Sequence, residues 1–154
     1  MIELRKKGIF SNEYVATADG VVVAELNRSV WGTRGEMTVQ GHRLKLEKQG
    51  VFKNTFTLKY DDTPILEVRQ PSSFRSRLFF THEGREFEMR NKAWYSQTMI
   101  VQADGIGLGS IRRTGMLSNG AVIELPASLP VAVQVLLGWI AIARWDEAAA
   151  AASG

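Results

Sequence analysis

The chain has 154 residues, of which 45% are hydrophobic and 23% charged, with no cysteine and a formal net charge of +3. One domain with its own core is expected at this length, and so mild a charge excludes the dense basic surface of a nucleic-acid binder. The lack of cysteine excludes disulfides, thiolate metal sites, acylated cysteines and a cysteine nucleophile; the opening "MIELRKKGIF" has no signal-peptide core, so a cytoplasmic chain is expected.

Up to Leu125 the chain reads as short alternating strands punctuated by Asp-Gly, Asn-Gly and Glu-Gly. Three stretches superpose: "GIFSNEYVATADGVVVAELNR", "GVFKNTFTLKYDDTPILEVRQ" and "AWYSQTMIVQADGIGLGSIRR". Asp19, Asp61 and Asp104 anchor them at spacings of 42 and 43 residues, with Phe10, Phe52 and Tyr95 each nine residues ahead. A period of this size marks a repeated supersecondary unit.

Side-chain alternation gives each unit an inner face. Before the turn it carries Tyr14, Ala16, Ala18; Phe56, Leu58, Tyr60; and Met99, Val101, Ala103. After the turn come Ala24, Leu26; Leu66, Val68; and Gly109, Ile111. Each unit is expected to add two more strands around Gly41, Gly84 and Gly120. Three units of four make about a dozen antiparallel strands. A sheet this wide curls, splits or closes. Closure removes the edges, so a closed barrel is expected, with a two-sheet sandwich as the alternative.

A barrel of that size is too wide for its strands' side chains to fill. The helical candidate is "LPVAVQVLLGWIAIARW", residues 129–145, with Ser128 as N-cap and Pro130 in the first turn. It is apolar on nearly every face, so it belongs in a core or a bilayer. Its 17 residues stand at the short edge of a membrane span, and no Lys or Arg cluster flanks it. Small inward residues (Ala16, Ala18, Ala24, Ala103, Gly109) leave room for a helix inside. The expected fold is therefore mainly β: a closed barrel of about twelve strands in three four-stranded repeats, enclosing a C-terminal hydrophobic helix. Residues 1–146 form the single domain, and residues 147–154 a disordered Ala-rich tail. A membrane anchor and a helix packed outside are the alternatives.

Three four-stranded units followed by "ELPASLPVAVQVLLGWIAIARW" resemble the tubby C-terminal-like superfamily, which includes the LURP-one-related proteins and the phospholipid scramblases. The resemblance spans residues 1 to about 145 and lies in the order of the elements. It implies a closed twelve-stranded barrel threaded by its C-terminal helix and, through the tubby branch, phosphoinositide binding. No ligand residue of that branch has a counterpart motif in this chain. The chain lacks the proline-rich extension and the cysteine cluster of the scramblases, and its compact length is most similar to the LURP-one-related and small members.

Little in the sequence points to catalysis, a metal or a cofactor. His42 and His82 fall at hairpin turns without further ligands at metal spacing. The three aspartates fit turn chemistry better than a carboxylate site. "ADGIGLGS" lacks the strand–loop–helix setting of a phosphate loop, and no serine occupies a nucleophile elbow. A non-enzymatic protein is expected.

With strands running up and down, the aspartate turns and the Gly41, Gly84 and Gly120 turns share one end. The opposite end collects Arg28, Arg34, Arg69, Arg75, Arg77, Arg112 and Arg113, with Lys7, Lys48, Lys53 and Lys92. The helix is expected to enter at this basic end, adding its positive terminus, and Arg144 to emerge among the aspartates. Such a rim suits a phosphate, a phosphoinositide or another anionic lipid headgroup, with Trp31 and Phe74 placed for peripheral membrane contact. The leading expectation is a binding module for such a ligand. The alternatives are a helix-anchored membrane protein with a scramblase-like lipid role, and a protein-interaction scaffold.

Overall fold

A computed structural model describes residues 1–8, 10–28, 34–49, 54–71, 77–93, 96–114 and 120–153. The strands are β1 (Ile2–Lys6), β2 (Glu13–Ala18), β3 (Val21–Arg28), β4 (Arg34–Val39), β5 (His42–Gln49), β6 (Asn54–Tyr60), β7 (Thr63–Gln70), β8 (Arg77–His82), β9 (Arg85–Asn91), β10 (Thr98–Ala103), β11 (Ile106–Thr114) and β12 (Gly120–Glu124); helix α1 spans Val131–Ser153. Every strand pairs antiparallel with its neighbour in sequence, and β1 pairs with β12, which closes the barrel.

The repeat survives as geometry. In β2–β3, β6–β7 and β10–β11 the register slips by one residue at the same place, after Ala16, Leu58 and Val101. The extra residues are Val23, Ile65 and Leu108, again 42 and 43 residues apart. A bulge sharpens local twist and bend, so each unit carries the same device for curving the sheet toward closure. Each aspartate hairpin turns through left-handed backbone: Asp19, Asp61 and Asp104 have φ of 51°, 46° and 53°, as a type I′ turn requires.

The third unit is assembled differently from expectation. Gly120 does not lie in a turn at the aspartate end; it begins β12 at the opposite end, paired with Thr114, where a Cβ would lie 2.7 Å from the Thr114 hydroxyl and 2.8 Å from the Leu4 carbonyl. β10, β11 and β12 are completed by β1, the first strand of the chain. That removes one strand before the helix and reverses the end at which it enters. α1 starts beside the hairpin turns and its C-terminal part reaches the basic end, where Arg28 bonds Asp146 at 2.9 Å and Lys48 bonds Glu147 at 2.8 Å. Arg144 likewise emerges there, not among the aspartates, and donates to Gln70.

The helix lies inside the barrel: residues 133–143 are all buried, and its partners reach from Ile123 on β12 to Phe56 on β6. It sits off-centre. The inner wall carries Ala121, Ala16 and Ala24 on β12, β2 and β3, and there the helix comes close. At Gly138 a Cβ would stand 2.6 Å from Ile123 Cδ1, so this glycine sets the approach. Phe80 and Phe87, stacked 4.9 Å apart, stand among the bulky residues of β8 and β9. Gly109, expected to accommodate the helix, is required by a strand instead: a Cβ there would fall 2.0 Å from the Glu124 carbonyl.

Two further expectations are corrected at the helix. Pro130, not Ser128, holds the N-cap position, since its carbonyl accepts the N–H of Gln134 at 3.0 Å. Buried Gln134, an isolated polar side chain on an apolar helix, donates to the carbonyls of Leu129 (2.8 Å) and Pro126 (3.3 Å) and so clamps the linker. The Ala-rich run, expected to fray, continues the helix to Ser153, in keeping with the high helix propensity of alanine.

Asp62 offers a test of the turn chemistry. It holds φ of 65° where the other four hairpins place Gly20, Gly41, Gly84 and Gly105. Left-handed backbone costs an L-residue about 1–2 kcal/mol, and the exposed Asp62–Lys45 pair at 3.4 Å contributes little. Asp62→Gly is expected to stabilise the fold by about 0.5–1 kcal/mol, raising Tm by roughly 1–4 °C in thermal denaturation.

Candidate functional site

The two open ends of the barrel differ in chemistry. The end opposite the hairpins gathers the expected cations but disperses them. Arg28 closes β3 on the inner face and is engaged by Asp146 and hydrogen-bonded to Tyr14. Burial raises the Tyr14 pKa, an effect that Arg28 opposes. Arg34, Arg69, Arg77 and Arg112 project from the outer wall, each next in sequence to an inward Gly35, Val68, Leu78 or Ile111. Arg77 Nε stands 3.4 Å from Glu88. Arg34 lies opposite Glu47, whose carboxyl is held below its ordinary pKa by the Lys59 hydrogen bond and then by the charges of Lys59, Arg34 and Lys45.

Arg69 and Arg77 share a corner of adjacent β7 and β8. Arg112 on β11 and Arg34 on β4 stand on opposite walls. Arg113 has inner parity and is half-buried. Arg75, Lys53, Trp31 and Phe74 lie outside the described residues. The described arginines therefore do not converge on one ligand. The helix also brings two carboxylates, Asp146 and Glu147, to this rim, the reverse of an anion trap.

The hairpin end holds a better-formed concavity, which sequence reasoning missed. A pocket of about 890 Å³ opens over the start of α1, within the usual range for small-ligand sites of roughly 300–1,000 Å³. Its wall includes Val39, Leu44, Leu129 and Val131, and its polar margin Gln40, His42 and Tyr60. His42 meets Tyr60 edge-on at 5.9 Å. The pocket opens where the linker and first turn of α1 meet the strand ends of β1, β2, β4, β5 and β6, with Ile2, Ala18, Val39 and Leu44 in its wall, whereas Phe80 and Phe87 of β8 and β9 are stacked in the core.

Exposed apolar side chains cluster at this end. Val21 (64%), Val22 (55%), Tyr60 (42%), Ile65 (54%) and Ile106 (62%) all lie within four residues of a hairpin turn. A signal for this was present: "VVV" in residues 21–23 and "PIL" in residues 64–66 break the apolar–polar alternation just past the aspartates. Outside the apolar ring stand the turn tips. Among the described residues the five hairpin turns hold Asp19, Asp61, Asp62, Glu83 and Asp104 and no cation. Asp62 pairs with Lys45 and Asp104 with Arg85, each at 3.4 Å, while Asp19 and Asp61 have no ion pair among the described residues.

No known family, curated protein or solved structure matches the chain. The site must be read from its own chemistry. Among the described residues no cluster of His, Asp and Glu is arranged to hold a metal ion. No helix among them is long and apolar enough to cross a membrane, and the apolar part of α1 is buried in the lumen.

Proposed function

We propose that this chain is a non-enzymatic binding module whose site is the hairpin-end pocket, where it receives an apolar group of its partner. The observation that carries the reading is the pocket itself: about 890 Å³ of largely apolar concavity in a barrel whose lumen is otherwise filled, ringed by exposed Tyr60 and Ile65. Isolated surface hydrophobes are ordinary, but a cluster of them around a concavity marks an interaction site.

The test is titration with the neutral apolar fluorophore N-phenyl-1-naphthylamine. Ala127 is exposed on the linker and lines the pocket, so Ala127→Trp narrows the opening without touching the core. Wild type is expected to enhance the fluorescence saturably, and the variant to bind at least about tenfold more weakly, the equivalent of one lost well-buried apolar group. Equal binding by both proteins overturns the assignment.

A second reading keeps an anionic lipid headgroup or phosphorylated ligand as partner, with the protein cytoplasmic and peripheral to a membrane. Two observations favour it. Arg69 and Arg112 are exposed and have no ion pair among the described residues, and Phe10, 98% exposed, stands at the same end. Binding to anionic liposomes that weakens with salt and is lost in Arg69→Ala/Arg77→Ala/Arg112→Ala supports this reading; indifference of both proteins to the liposomes removes it. Kinship with the tubby-like superfamily is proposed on the same footing, supported by the twelve-stranded barrel around a C-terminal helix.

A further inference from the structure

We infer that the hairpin-end pocket takes a cationic amphipathic segment of a protein partner, with an apolar side chain in the pocket and Lys or Arg side chains against the aspartates of the turns. The inference rests on the pocket being the binding site and adds the chemistry of its occupant.

Charge complementarity carries it. On the arc that borders the pocket, the β2–β3, β4–β5 and β6–β7 turns present Asp19, Asp61 and Asp62 and no cation. Asp19 and Asp61 are exposed and without an ion pair among the described residues. Lys45 pairs with Asp62 from the outer wall of β5. The linker over the pocket, "LPASLP" in residues 125–130, is uncharged. A fatty acid or phospholipid would carry its negative head into these carboxylates, and an anionic bilayer would meet the same repulsion. A segment with Lys or Arg flanking an apolar anchor meets attraction at the rim and burial at the centre, the pattern of protein interfaces generally.

Strand geometry narrows the mode of binding. The barrel is closed, so no sheet edge is open to accept an added strand. Recognition has to run through side chains, and the apolar positions Val21, Val22, Tyr60 and Ile65 flank the pocket as further contact points. Exposed pairs are individually weak and screened by salt. The expected contribution of the rim is therefore selection among partners more than affinity.

The experiment uses three fluorescent peptides with one apolar pattern, its remaining positions filled with Lys, Gln or Glu. Each is titrated into wild type, Ala127→Trp, and Asp19→Asn/Asp61→Asn/Asp62→Asn, whose asparagines tolerate the same left-handed turns. Folding of each variant is checked by circular dichroism. The Lys peptide is expected to bind wild type about tenfold more tightly than the Gln peptide at low salt, consistent with several weak exposed pairs acting together. The Glu peptide is expected not to bind. The advantage of Lys over Gln should vanish in the triple Asn variant and at high salt, and all binding should fall in Ala127→Trp. If Lys and Gln peptides bind wild type equally and Ala127→Trp weakens both, the pocket stands and the charge inference is overturned. If no peptide responds to Ala127→Trp, the pocket reading itself falls. If phosphatidylserine vesicles bind wild type and displace the peptides, the occupant is a membrane and the inference is overturned.

Discussion

A chain ending before Pro126 is expected to be unfolded, with no cooperative thermal transition and rapid proteolysis throughout. The inner faces of the strands bury Leu4, Met37, Leu46, Leu58, Val68, Leu78, Met89 and Ile111 to 1% exposure or less, and without α1 these side chains would line a wide hole. On the helix itself Val133, Val135, Leu136, Leu137, Trp139, Ile140 and Ile142 are buried. At about 1.5–3 kcal/mol for each large apolar side chain, this amounts to on the order of 10–20 kcal/mol, as large as the roughly 5–15 kcal/mol by which whole domains are stable. Circular dichroism and limited proteolysis of the truncated chain check it. A helix serving as an anchor would predict the opposite, a barrel that stays folded, and a sharp thermal transition in the truncated chain would refute the plugged-barrel account.

The second large effect is expected at Trp139. Its side chain is 0% exposed, and the indole meets Phe56 edge-on at 5.8 Å across the lumen. It bridges the off-centre helix to β6, the wall that the helix backbone does not approach. Trp139→Ala therefore opens a cavity that neither the rigid barrel nor the opposite helix face can close, at a cost of about 3–5 kcal/mol. Chemical denaturation should show the midpoint falling with little change in slope. Trp139→Phe is expected to cost much less. It keeps an aromatic partner for Phe56, and it deletes an indole N–H that has no acceptor among the described residues, a group expensive to bury. A Trp139→Phe variant as unstable as Trp139→Ala would show that a contact of the indole nitrogen, and not ring volume, matters there.

Much of the barrel was legible because strand period and turn chemistry are local. The inner positions read from alternation are the buried ones in the main: Tyr14, Ala16, Phe56, Leu58, Met99 and Val101 are each 2% exposed or less. Tyr60, assigned to the same inner face, is 42% exposed, because it stands at the rim where the lumen opens into the pocket. The aspartates before the turns adopt the left-handed backbone their chemistry suits. The arginines at positions 28, 34, 69, 77, 112 and 113 were placed at the correct end, yet their convergence failed. End-to-end placement follows from strand order, whereas convergence depends on which face each side chain takes and on how far apart its strand lies around the ring.

The sequence by itself determined the three-unit β pattern, its inner faces, its turns and an apolar helix that a wide barrel needs, since each follows from local period, left-handed turn chemistry and burial. The tertiary structure decided what depends on contacts far apart in the chain. β1 closes the ring against β12 and completes the third unit, so the helix enters from the aspartate end and brings Asp146 and Glu147 to Arg28 and Lys48. The row of alanines on β12, β2 and β3 lets that helix approach one wall, and the pocket forms over its first turn, between the linker and the strand ends. No local signal encodes the pairing of the first strand with the last, and the end at which the helix enters turns on that single pairing.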